Sequence, residues 1–208
     1  MRARGDTSNI RDVQRTVPPE RRLVLVRHAR SSHVHTGWID AAGFRAWREA
    51  YESAGIVEGQ RPPADLEALA RRADLVVCSD APRAIATARL LAGGREVVQS
   101  PLMRELDLVG PELGRCRLPL TGWALAVGGR MLALKLRGQY PSAAEAARID
   151  DAAEWLQQLA EEHPQIVAVT HGSFRRQLAS RLVRAGWHVE PGRRSMRHWS
   201  AWAFTRPS

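Results

Sequence analysis

Four short apolar runs punctuate the chain, and each leads into polar residues. Leu23-Val24-Leu25-Val26 runs into Arg27-His28, and Leu75-Val76-Val77-Cys78 into Ser79-Asp80. Val97-Val98 is followed by Arg104-Glu105, and Ile166 to Thr170 ends at His171-Gly172. Unbroken runs of this length fit strands buried on both faces, as in a parallel sheet. The segments between them carry helical spacing. Asp40 offers an N-cap for a helix that ends by Gly55, with Phe44, Trp47 and Tyr51 as an aromatic stripe for core packing. Pro62-Pro63 introduces a short helix from Ala64 to Arg72, and Pro82 opens another that Gly93-Gly94 stops. Val109 to Thr121, rich in Gly and Pro, reads as an irregular excursion. The apolar helix from Gly122 to Arg137 reads as a core or lid element. Ser142 caps a helix running to Glu162, Ser173 caps the next, and Trp199 to Phe204 is a last strand. Strands alternating with helices predict an α/β fold: a three-layer α/β/α sandwich around a mostly parallel central sheet.

Composition narrows the setting. The 208 residues suffice for one substantial core, and residues 23–208 are expected to form a single domain. Met1 to Arg22 is polar and basic, contains Pro18-Pro19, and reads as a disordered tail. It lacks an apolar stretch, so a secretory signal is not expected. The longest uncharged run, Leu118 to Gly129, is too short to span a bilayer, so no membrane partner is expected. The formal charge of +9 favours anionic ligands in general. The excess is arginine, with Lys135 the only lysine. Arg and Ala enrichment of this kind also follows from coding bias, so nucleic acid is not the expected partner. Two cysteines, Cys78 and Cys116, form no disulfide framework or metal motif, which fits a cytoplasmic protein. The oligomeric state is left open, a homodimer among the options.

In an open α/β sheet, ligands bind beyond the carboxyl ends of the strands. That rule gathers four polar groups around one crevice: Arg27, His28, Ser31 and Ser32; Ser79, Asp80 and Arg83; Arg104, Glu105 and Asp107; His171 and Gly172. Arginine forks suit phosphate oxygens. A neutral imidazole can attack phosphorus, and a carboxylic acid can protonate a leaving oxygen and then activate water. The set suits phosphoryl transfer.

The motifs around these residues resemble those of the histidine phosphatase superfamily, also called phosphoglycerate-mutase-like. R-H-A-R-S is similar to its R-H-G/A signature, and C-S-D-A-P-R-A-I-A-T-A to its S-S-x-x-x-R-A-x-x-T-A segment. R-E-L-D-L is similar to R-E-L-D-F-G, and V-T-H-G-S-F-R-R to V-S/T-H-G-x-x-x-R, in the same order from Leu23 onward. The resemblance implies a phosphoglycerate-mutase-like fold and a phosphohistidine intermediate on His28. It implies that Arg27 and Arg83 clamp the phosphoryl group, that His171 stabilises it, and that Glu105 donates the proton. Ser31 or Ser32 supplies a pocket hydroxyl or a helix cap. No metal and no cofactor are implied, and the expected partner is a small phosphorylated substrate.

The chain departs from the pattern at Ala29-Arg30, where Gly-Glu is frequent, and at Val34, where Asn is frequent. D-L-V-G-P-E-L-G replaces a Gly…Trp-Glu-Gly segment. Those pieces are prominent in mutases, so a phosphatase acting on phosphomonoesters is expected. The alternatives are a phosphoglycerate-type mutase, a protein phosphohistidine phosphatase, and a non-catalytic phosphate- or nucleic-acid-binding protein. His33, His35, His163, His188 and His198 are expected to be structural or exposed, Arg176 to support the site or lie on a helix surface, and Arg193, Arg194 and Arg197 to lie in a solvated loop. Asp80 and Asp107 are expected to cap loops.

Overall fold

The computed structural model describes residues 20–108, 110–192 and 194–207. The tail from Met1 to Pro19 and Arg193 of the basic loop lie outside the described residues. Arg21 and Arg22, read as the end of that tail, belong to the first strand. The elements run β1 (Arg21–Arg27), β2 (Trp38–Ile39), α1 (Ala41–Glu52), α2 (Ala64–Arg71), β3 (Leu75–Ser79), α3 (Pro82–Ala92) and β4 (Val98–Ser100). After a 3-10 turn at Pro101–Met103 come β5 (Leu118–Pro119), α4 (Leu120–Leu136), α5 (Ala143–Glu162), β6 (Gln165–Thr170), α6 (Gly172–Arg184), β7 (His188–Val189) and β8 (Ala201–Arg206).

The main sheet has the order β4-β3-β6-β1-β8-β7. Its first four strands are mutually parallel, while β8 runs antiparallel to β1, and β7 to β8. Alternation within β1 splits the core. Leu23 and Leu25 face α5 and α6, with Ile149, Leu156, Phe174 and Leu178, while Val24 and Val26 face α2 and α3, with Leu66, Ala84 and Leu91. The result is the expected three-layer sandwich. Local signals set the helix ends. Asp40 accepts a hydrogen bond from Gly43 N–H, and Ser142 and Glu145 form a reciprocal capping box. Gly93 ends α3 at φ +59°, a left-handed conformation that costs glycine little.

Two further features depart from the sequence expectation. The excursion before α4 contains β5, which pairs antiparallel with β2. Strands of two residues carry no periodicity by which to find them. Ser173 does not cap α6. The helix begins at Gly172 behind an extended His171, and the side chain of Glu105 accepts from the Ser173 and Phe174 N–H groups. A third, smaller cluster joins Ala41, Phe44, Trp123 and Val127, so that α1 and α4 form a lobe over the carboxyl ends of the strands. Phe44 stacks on Trp123 at 4.6 Å, and Trp123 Nε1–H donates to Ile39 O at 2.9 Å.

Candidate active site

Strand register brings the two histidines together. β1 and β6 are neighbours with Arg27 opposite Thr170, so the next residues, His28 and His171, leave the sheet side by side. Their ring centroids stand 5.1 Å apart. On the other side of β6, β3 ends at Ser79, whose hydroxyl is hydrogen-bonded to His171 Nε2 at 2.9 Å. α3 follows at once and carries Arg83 in its first turn, fully buried. Beyond the end of β4, Glu105 reaches across to α6.

His28 is 2% exposed. Its Nδ1–H donates to Ala29 O at 2.7 Å, which fixes the tautomer and leaves the Nε2 lone pair free. Burial, foremost, lowers its pKa to about 3; the bond to Ala29 opposes this, and the charges of Arg83 and Arg27 add to it. Burial likewise holds His171 well below its ordinary value, with His28 and Arg83 adding to the effect. Both rings are therefore neutral at physiological pH. The Nδ1 of His171 has no protein partner.

Arg27 donates to Met196 O through Nη1. Gly172 makes room for it: a Cβ there would come within 3.5 Å of Arg27 Nε and 3.3 Å of Met196 Cε. Arg83 lies over the Tyr51 ring at 4.4 Å, donates to Tyr51 O at 3.0 Å and meets Glu52 Oε2 at 3.3 Å. Glu105 is partly buried and accepts from Phe174 N–H at 2.8 Å, Leu106 N–H at 3.0 Å and Ser173 N–H at 3.2 Å. Burial raises its pKa against the pull of these three bonds and of Arg27. Arg148 steadies the same loop, donating to the carbonyls of Leu102, Arg104 and Glu105.

Arg27, His28, Arg83, Glu105 and His171 all line one cavity of about 650 Å³. Ser31, expected as a phosphate ligand, does not line it. Its hydroxyl accepts from His33 N–H at 3.2 Å, and its backbone bridges to Ile56, a turn-forming role for a short hydroxyl side chain. Asp80 forms a two-pronged ion pair with Arg104, with both contacts at 2.6 Å. Arg175 is the buried arginine of α6, spent on the carbonyls of Ser195 and Ser200, whereas exposed Arg176 reaches the cavity.

Sequence reasoning missed several lining residues. His198, read as exposed or structural, donates through Nδ1 to His28 O at 3.1 Å, and its ring lies 5.4 Å from that of His28. Nothing in its surroundings in sequence marked it. The α1 stripe is only partly core: Phe44 is buried, while Trp47 and Tyr51 face the cavity beside it. Their spacing was visible, but not what they faced.

The arrangement offers a neutral imidazole with a free nitrogen, a second neutral imidazole beside it, two guanidinium groups and a carboxyl group of raised pKa. A family model described as histidine phosphatase superfamily (branch 1) matches residues 23–199. Among solved structures, mycobacterial glucosyl-3-phosphoglycerate phosphatase is similar at 22% identity and TM-score 0.53, over 79% of this chain and 80% of that one. A structure described as mycobacterial hydrolase 2 is 26% identical with TM-score 0.51, over 80% of this chain and 73% of that one. Phosphoserine phosphatase from Entamoeba histolytica is 19% identical with TM-score 0.50, over 78% of this chain and 80% of that one. No curated protein matches the chain.

Proposed function

Because the chain belongs to the histidine phosphatase superfamily, branch 1, we propose that it hydrolyses phosphomonoesters of small substrates through a phosphohistidine on His28. The observation that carries this reading is the juxtaposition of neutral His28 and His171, rings 5.1 Å apart, with Arg27, Arg83 and Glu105 on one cavity. His28 Nε2 attacks phosphorus as the bond to the leaving oxygen breaks. Glu105 gives its proton to that oxygen. Arg27, Arg83 and His171 hold the phosphoryl oxygens where negative charge gathers. The Glu105 carboxylate then takes a proton from water, whose oxygen attacks phosphorus, and the P–N bond breaks to release inorganic phosphate and restore His28.

A cavity of about 650 Å³ suits a small-molecule ester. The solved phosphatases of this fold named above act, by their names, on small phosphate esters, which is consistent with that size. A cytoplasmic setting is part of the proposal, supported by free cysteines at buried Cys78 and exposed Cys116. Among the described residues no helix is long and apolar enough to cross a membrane. The test is to incubate wild type and His28→Ala with a panel of phosphomonoesters and follow both inorganic phosphate and label trapped on protein. Wild type is expected to release phosphate and carry acid-labile label, and His28→Ala to do neither. Full phosphatase activity in His28→Ala overturns the mechanism.

A further inference from the structure

The cavity has two unlike ends. One is the phosphate end just described. The other lies between α1 and α4, with walls that include Phe44, Trp47, Leu120, Val127, Met131 and Leu132. Leu120, Ala124, Val127, Gly128 and Met131 fall at helical spacing, so one whole face of α4 is turned into the cavity. Leu132 both lines the cavity and is 58% exposed, which places it at the mouth. One turn further on, Leu136 is 81% exposed, so the apolar wall continues onto the surface.

Polar groups in this arm are few and largely committed. Arg48 donates to Leu108 O at 2.5 Å, and Ser173, Arg176 and Gln177 line the cavity from α6 rather than from α1 or α4. Lys135, on α4, lines the cavity but is exposed. Trp47 Nε1 and Tyr140 Oη are buried without a partner, fewer groups than the hydroxyls of a sugar or the charged pair of an amino acid require. A polyol entering this arm would lose hydrogen bonds to water without replacement, whereas an apolar group would lose only unfavourable hydration.

We infer that the leaving group this site accepts is an apolar alcohol, alkyl or aryl. The inference rests on the phosphatase reading above and adds the substrate class. The phosphate lies among His28, Arg27 and Arg83, the ester carbon points toward α1 and α4, and a longer chain leaves past Leu132 along Leu136.

The test measures kcat/KM for phosphate release from n-alkyl phosphates, ethyl to octyl, and from naphthyl phosphate, against phosphoserine and 3-phosphoglycerate. The expected result is a rise of about fourfold per methylene until the arm is filled, with the polar esters below alkyl esters of matched size. Gly128→Leu probes the site itself. A Cβ at Gly128 meets nothing within 4 Å, so the new side chain projects into open space while strengthening the helix. It is expected to end the gradient at a shorter chain, with an unchanged or higher melting temperature. Leu132→Asp, at the mouth, is expected to flatten the gradient for the longest chains. Polar esters outpacing matched alkyl esters, or a full gradient surviving in Gly128→Leu, overturns the inference and leaves the phosphatase reading standing. No phosphate from any ester, with no labelled His28, overturns both.

Discussion

At His28, the proposed nucleophile, the bond made by Nδ1 decides the state of Nε2. Donation from Nδ1 to Ala29 O leaves Nε2 unprotonated, and burial keeps the ring neutral down to about pH 3. As the proposed nucleophile, His28 therefore sets no acid limb above that pH. Glu105 carries the opposite bias: burial raises its pKa, so it holds a proton over a wider range than an ordinary carboxyl group. For an ester with a poor leaving group, kcat/KM is expected to fall as pH rises through the raised Glu105 pKa. Glu105→Gln is expected to cost about 10²–10⁴-fold and to remove that limb. The check is a pH–rate profile of both proteins; an unchanged limb in the variant would assign it to another group. His28 was legible because it directly follows a strand end, and Glu105, five residues past β4, because R-E-L-D-L resembles a family motif. His198 was not, because it meets His28 only through a chain separation of 170 residues.

Elements carry these residues into place through contacts that are easily counted. Thr87, one turn into α3 beyond Arg83, accepts from Ala29 N–H at 2.9 Å and donates to Arg83 O at 2.6 Å. It is fully buried, so no water replaces it. Thr87→Val keeps the shape but strands the Ala29 N–H, and denaturant unfolding should show a loss of about 1–3 kcal/mol. The α5 cap has a second duty. Glu145 closes the capping box with Ser142 and also accepts from Asp107 N–H at 2.8 Å, two residues past Glu105. Ser142→Ala is expected to cost about 1 kcal/mol in the same measurement. It should also speed amide exchange at Asp107. Ser142 was readable as a cap because capping is local chemistry. The cap of α6 was misread because the group that accepts its first N–H bonds, Glu105, is 68 residues before Ser173 and in another loop.

The whole molecule holds two neutral imidazoles at its centre, which ties stability to pH. An unfolded histidine takes up a proton near pH 6.5, whereas folded His28 does so only near pH 3, and folded His171 well below its ordinary value. Between those values the unfolded chain binds more protons. The contribution is fully present above about pH 6.5 and is lost as pH falls toward 3. Urea midpoints recorded from pH 8 to pH 4 should decline through this window, and the decline should be shallower in His28→Leu. A profile equally steep in that variant would place the titration elsewhere.

Taken alone, the sequence determined the sandwich, the order of its main strands and helices along the chain, and which polar residues follow the strand ends; the choice of Arg27, His28, Arg83, Glu105 and His171 among them came from the motifs that resemble those of the family. The fold-level part follows from near neighbours in the chain: apolar runs long enough to be buried on both faces, helix caps, and polar residues placed after strand ends. Parallel pairing then aligns those ends without further instruction. Only the tertiary structure decided that Ser31 turns away from the site and that Glu105 caps α6. The same holds for His198 under His28 and for the apolar second arm between α1 and α4. Each depends on which distant surfaces pack together. An apolar residue facing a cavity and one facing the core have the same spacing in the chain, and only packing tells them apart.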